Sequence, residues 1–220
     1  MKLYKKNFKK SKDYWIKKPE LFSNYYNSLN PLKLPARLFL SLREKNIEKI
    51  LKSLKKRQNS IAVDIGCGSG EYTYKLSLFF KKVDGYDVSQ KMITIAKNKY
   101  HLKNINYYLS PIEKMNTKKK YDYALAIGLL DYLKNFSSTL LKMKKLLKKD
   151  GEIIFTCPKS PSLFSFIRNN FLRDFLFDAP EIVESVNKDE LIKYCEKNKL
   201  KILNLDSLWT TMWIVHAKAI

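Results

Sequence analysis

Short apolar runs along this chain alternate with segments in which apolar residues recur every three or four positions. Residues 61–65 (IAVDI) make the first run, interrupted only by Asp64. Residues 104–109 (NINYYL), 121–127 (YDYALAI) and 152–157 (EIIFTC) make three more, and KKVDGYD reads as a further strand ending at Asp87. Helical spacing is kept by Ile47, Ile50, Leu51 and Leu54 up to Arg57 and Gln58, by Tyr72, Leu76, Phe79 and Phe80, and by Met92, Ile93 and Ala96. It returns in Leu140, Met143 and Leu147 of a helix over 138–149, which Asp150 and Gly151 close with a left-handed turn. Ser89 reads as a helix N-cap, and Asn187 to Glu190 has capping-box spacing ahead of LIKYCEKN. Residues 202–208 and 213–220 read as two final strands. Strand and helix in strict alternation predict an α/β fold with a parallel, doubly wound sheet.

Composition narrows the setting. A chain of 220 residues, 45% hydrophobic and 13% aromatic, suits one globular domain with a sizeable core: residues 1–58 form a lysine-rich tail and cap helices, and 59–220 the main body. Pro19 opens a helix over 19–29 that serves as a lid over a site or as plain packing. The sequence holds no run of 18 apolar residues, and its basic start lacks an apolar region behind it, so a cytoplasmic protein is expected. Cys67, Cys157 and Cys195 lack CxxC spacing, which argues for free thiols and against a zinc site; no metal is expected. The net charge of +22 invites a nucleic-acid reading. Five arginines among 43 basic residues, with lysines spread over nearly every face, favour a small-molecule partner over nucleic acid.

The chemistry concentrates in VDIGCGSG, residues 63–70. Glycines at alternate positions admit positive φ and let a ligand lie almost against the main chain at the start of a helix. The spacing is neither the G-x-G-x-x-G of a dinucleotide fold nor a phosphate loop ending in Gly-Lys-Ser/Thr. Asp64, just before the loop, would repel a pyrophosphate yet accept hydrogen bonds, direct or through water, from an ammonium group. About 20 residues past the loop, Asp87 ends the second strand where a carboxylate accepts from ribose hydroxyls. An adenosine with an amino-acid tail and no phosphate satisfies both acids.

VDIGCGSG resembles the first motif of the class I S-adenosylmethionine-dependent methyltransferases, and the resemblance extends from about residue 36 onwards. It implies a seven-stranded, mostly parallel sheet with an antiparallel last strand, N-terminal helices and a helical insertion after the fifth strand. It also implies S-adenosylmethionine as cofactor, held by Asp64, Gly66, Cys67, Gly68 and Gly70, by Asp87, Val88 and Met92, by Ile112 and Glu113, and by Ile127 and Gly128. The family often places an acid before Ile112 to take the adenine amino group. Pro111 stands there instead, leaving that contact to Ser110, Glu113 or a main-chain carbonyl.

Beyond the fourth strand, Asp131 and Tyr132 would face the methyl group, as a base or as an orienting group. His101 and His216 fall elsewhere and read as structural, and Asp131 has the alternative of a helix-start acid. Cys157 sits in TCPKS but lacks the Pro-Cys partner of RNA 5-methylcytosine enzymes, so it reads as a small pocket or core residue. The insertion from 159 to 186 carries an apolar arc, Phe164, Phe166, Phe171, Phe175 and Phe177 among it, which would roof a substrate or rest on a membrane surface or a dimer partner. Within class I the chain looks most like small-molecule enzymes of the ubiquinone and menaquinone type. An RNA enzyme, a protein methyltransferase and a non-catalytic cofactor-binding relative are the rivals, and monomer and homodimer are both open.

Overall fold

The computed structural model describes residues 34–54, 59–115, 118–161 and 183–220. The lysine-rich tail, the helix over 19–29 and most of the insertion from 159 to 186 lie outside the described residues. Helix α1 (Leu34–Ser53) leads to β1 (Ile61–Ile65), α2 (Glu71–Ser77), β2 (Lys82–Asp87), α3 (Gln90–Lys99), β3 (Ile105–Leu109), β4 (Tyr121–Ala126), α4 (Phe136–Leu146), β5 (Leu147–Pro158), α5 (Lys188–Lys197), β6 (Leu200–Leu208) and β7 (Met212–Ala219). Among the described helices, none is long and apolar enough to cross a membrane.

The strands form one sheet in the order β3-β2-β1-β4-β5-β7-β6. Pairing is parallel from β3 to β5, and β7 runs antiparallel to both β5 and β6. The expected seven-stranded, doubly wound sheet with an antiparallel last strand is therefore present. Because consecutive strands run outward from β1 on one side and from β4 on the other, the crevice between the carboxyl ends of β1 and β4 is the topological switch point, where open α/β sheets bind ligands.

Alternating side chains supply both faces. Val63, Ile65, Ala124 and Phe155 pack on one face with Leu140, Met143 and Leu146 of α4 and Leu191 and Cys195 of α5. Ala62, Val83, Leu125 and Ile154 pack on the other with Ile47, Ile50 and Leu51 of α1 and Leu76 of α2. The expected caps are in place: Ser89 accepts from the Met92 amide, and Asn187 and Glu190 form a capping box.

One boundary differs from expectation. Helix α4 ends at Leu146, and Leu147 already pairs with Tyr121 as the first residue of β5. Asp150 does adopt a left-handed conformation, at φ 62°, but as part of an irregularity inside β5: Tyr121 pairs with Leu147 and Tyr123 with Glu152. Leu147 keeps helical spacing with Leu140 and Met143, so local periodicity points to helix where pairing with β4 gives strand.

A buried carboxylate crosses the parallel sheet. Asp84 is fully buried in β2, where it accepts from Tyr121 Oη at 2.7 Å and Asn106 Nδ2 at 3.2 Å and pairs with Lys119. Such a group is tolerated only when its oxygens are met, as they are here.

Candidate functional site

The glycine loop is fixed by the strand beside it. Gly66 and Cys67 both donate their amides to the Tyr86 carbonyl, at 2.8 and 2.9 Å, and Gly70 donates to the Cys67 carbonyl at 3.0 Å. Asp87 then ties three loops together. Its Oδ2 accepts from Gly68 N at 2.9 Å, its Oδ1 from Ser89 N at 2.8 Å, and its carbonyl from Ser110 N at 2.9 Å. Burial pushes the Asp87 carboxyl above the ordinary aspartate range, against the opposing pull of these amides. Each carboxylate oxygen, holding one amide, is left with further acceptor capacity.

Glycine is required for different reasons around the loop. A side chain at Gly66 would meet Leu129 at 3.0 Å, and one at Gly70 the Tyr107 hydroxyl at 2.7 Å, so those positions are filled by the protein itself. Gly68, at φ 53°, has nothing among the described residues within 4 Å of where a Cβ would stand. That space adjoins the Asp87 carboxylate, whose Oδ2 accepts from Gly68 N.

Asp64 lies behind the loop, 2% exposed, with its Oδ2 accepting from Thr73 Oγ1 at 2.7 Å. Burial raises its carboxyl to about 7; Thr73 opposes the rise, and the nearby charges of Asp87 and Glu71 add to it. A cation arriving from the ligand side would find a carboxyl ready to ionise. Cys67 is buried and its thiol is pushed well up by desolvation, which makes it a wall of the loop and a poor nucleophile.

The other expected contacts divide. Val88 is half-buried beside Asp87, Met92 is buried on α3, and Ile112 is buried on a short 3-10 turn after β3. Glu113 is exposed, and its main-chain oxygen accepts from Lys142. At the end of β4, Ile127 is buried, and Gly128, at φ 69°, donates its amide to Thr156 Oγ1 at 2.8 Å. The nearest atom to a side chain at Gly128 would be the Arg43 guanidinium, at 3.3 Å.

Asp131 and Tyr132, equivalent in the sequence, are separated by the fold. Both lie on a 3-10 turn, Leu130–Tyr132. Asp131 is 8% exposed, its carbonyl accepts from Val183 N at 2.8 Å, and its charge adds to burial in pushing the Cys157 thiol up. Tyr132 is only half-buried. His101 is exposed ahead of β3, and His216 is half-buried in mid-strand with its Nε2 2.7 Å from Glu152. Neither is near the loops at the switch point. Among the described residues, no group of three or more His, Cys, Asp and Glu is placed to hold a metal ion.

Sequence reasoning missed Thr73 and Thr156, the hydroxyls that hold Asp64 and the Gly128 turn, and Arg43. None carries a local pattern. Thr73 could have been found only by noting that the first turn after the loop must pass over the acid in the strand.

A family model described as a methyltransferase domain matches residues 56–206. The ubiquinone biosynthesis O-methyltransferase of Pelagibacter ubique is 29% identical over 169 residues, 73% of this chain and 69% of that protein. The malonyl-acyl-carrier-protein O-methyltransferase of Bacillus cereus is 27% identical over 124 residues, 54% of this chain and 46% of that protein. The chain thus spans about half the length of this second relative. Magnesium protoporphyrin IX methyltransferase from Synechocystis, solved with bound S-adenosylmethionine, superposes with a TM-score of 0.75 at 15% identity over 97% of each chain. The N-methyltransferase NodS of Bradyrhizobium japonicum, in complex with S-adenosylhomocysteine, gives 0.65 at 17% identity over 97% of this chain and 98% of its own. At these identities the likeness is one of fold.

Proposed function

The chain belongs to the class I S-adenosylmethionine-dependent methyltransferases, and from that premise we propose that it methylates a small apolar or aromatic molecule. The observation that carries the cofactor's place is the junction of Asp87 Oδ2 with Gly68 N, 2.9 Å apart, beside open space at a glycine in the left-handed region. Asp87 would accept from the ribose hydroxyls. Asp64, Gly66, Cys67, Gly68 and Gly70 would receive the amino-acid tail, Val88, Met92, Ile112 and Glu113 would border the adenine, and Ile127 and Gly128 the methionine chain.

The cofactor supplies an activated methyl group on a sulfonium whose leaving group is a neutral thioether. What remains for the protein is to align the acceptor, exclude water and take its proton. Tyr132, half-buried on the turn after β4, is the better placed of the two candidates to meet the acceptor, and buried Asp131 the better placed to hold that turn. Both relatives described above are named O-methyltransferases, which supports an oxygen nucleophile. An alcohol or phenol then gives up its proton as the carbon–oxygen bond forms and the carbon–sulfur bond breaks.

The charge of +22 favours RNA as the second reading. Labelled S-adenosylmethionine incubated with the protein and either a small-molecule extract or purified RNA separates the two. We expect label in the small-molecule fraction, changing only modestly between about 50 and 200 mM salt. RNA labelling that falls steeply over that interval would overturn the small-molecule reading.

A further inference from the structure

We propose that the edge of the sheet opposite the switch-point crevice binds the phosphate backbone of single-stranded RNA, away from the site of methyl transfer. β1 to β5 run parallel, and β6 shares their direction because β7 is antiparallel to both its neighbours, so β2, β3, β4, β5 and β6 all begin along one edge. Each of those five starts carries an exposed lysine. Lys82 opens β2, Lys103 and Lys120 stand just before β3 and β4, and Lys149 and Lys201 lie in the first residues of β5 and β6. Lysines dispersed along the chain are thus gathered in space by the parallel sheet.

The acids beside these lysines in the strands are already engaged: Asp84 pairs with Lys119, Asp122 with Lys148, and Asp150 with Lys218. Asp122 also accepts from Ile61 N at 2.9 Å. Among the described residues, none of the five row lysines pairs with an acid. The other edge instead gathers Asp87 at the end of β2 and Asp131 after β4. A polyanion is therefore drawn to one edge and turned away from the other.

The shape of the row selects the ligand. Neighbouring strands lie about 4.8 Å apart, so the six intervals from β3 to β6 make a row about 29 Å long. A membrane is a plane and calls for a broad face with apolar anchors, whereas a line of cations suits a linear polyanion. Twist of about 20–25° between neighbouring strands bends the row, and a single strand follows such a bend more easily than a stiff duplex does. Lysine meets phosphate as a point charge and reads no base, so binding there is independent of sequence.

The test is the fluorescence anisotropy of a labelled single-stranded oligouridine of about 20 nucleotides, titrated with the full chain between about 50 and 200 mM salt. Wild type should bind it, with a logarithmic salt slope of about −0.7 for each phosphate met. The triple variant Lys103→Glu, Lys120→Glu and Lys201→Glu should bind about tenfold or more weakly and flatten that slope by about 2. An equal charge change at exposed positions off the row, Lys45→Glu, Lys114→Glu and Lys193→Glu, should cost less than about threefold. Equal loss in the two triple variants would leave only diffuse attraction to a chain of +22 and overturn the proposal. No binding by wild type, or tighter binding of a duplex of the same length, would also overturn it. So would RNA binding that survives in the row variant while binding to anionic phosphatidylglycerol vesicles is lost. If the row variant does not fold, acetylation of wild type decides: bound oligouridine should protect Lys82, Lys120 and Lys201 but not Lys45 or Lys114, and uniform protection sinks the proposal.

Discussion

Asp64 should make both stability and cofactor binding depend on protons, in a direction its surroundings fix. In the cofactor-free fold its carboxyl is held at about 7, against 3.8 for an aspartate in water. The folded state therefore binds more protons than the unfolded chain between those values. Stability from this group is highest at low pH, falls as pH rises through the window from about 4 to about 7, and stays low above it. At about 1.36 kcal/mol per pH unit, on the order of 3 kcal/mol is lost between pH 5 and pH 8. Asp64→Asn keeps an acceptor for Thr73 and removes the titration. Urea midpoints of the two proteins, taken without cofactor from pH 5 to 8, should show the variant gaining on wild type as pH rises; the general effect of a +22 chain cancels in that difference. An ammonium brought by the ligand reverses the preference and favours the carboxylate. Binding of S-adenosylhomocysteine near pH 6 should then release a proton, seen as a buffer-dependent heat, and its affinity should fall toward tenfold per pH unit below about 7. A difference between wild type and variant that does not change with pH, or binding with no proton release, would refute the reasoning.

Other outcomes follow from the same geometry. Gly68→Ala places its methyl in open space, so it should cost only the 1–2 kcal/mol or so of a left-handed alanine yet weaken S-adenosylhomocysteine binding about tenfold or more, measured by calorimetry beside a denaturation curve. Asp87→Ala should lower both affinity and stability, because the same oxygens hold the Gly68 and Ser89 amides; unchanged affinity in a folded variant would remove Asp87 from the ribose site. Tyr132→Phe should lower turnover and leave cofactor affinity intact, whereas Asp131→Asn should show chiefly in the denaturation midpoint. Tyr121→Phe strips a donor from buried Asp84 and should cost about 1–3 kcal/mol of unfolding free energy with cofactor affinity unchanged.

What could be read from the sequence was what short stretches decide alone. The glycine loop, the strand ending at Asp87, the Ser89 cap and the capping box at Asn187 are each set by neighbours within a few positions, and all are present. What escaped depends on partners far along the chain. Leu147 belongs to a strand because Tyr121 lies beside it, Asp84 is tolerable because Tyr121, Asn106 and Lys119 converge on it, and Asp64 takes its environment from Thr73. Asp87 was legible as the acid that ends the second strand; its task of holding the ends of three strands' loops together was not, since two of the amides it binds come from other loops. The reverse case is Asp131, whose spacing pairs it with Tyr132 although the fold buries one and leaves the other partly open.

The insertion of β7 between β5 and β6 sets an order of assembly during synthesis. β6 leaves the ribosome before β7, yet among the described residues its only partner in the sheet is β7, whose other edge lies on β5. Until residues 212–219 emerge, β5 presents an open edge and β6 has no sheet to join. At about 5–20 residues per second the wait is on the order of a second, long beside the microseconds in which a hairpin closes. β6 and β7 should therefore dock together as a preformed hairpin, leaving the edge of β5 as the place where a nascent chain of this protein is most exposed to wrong partners.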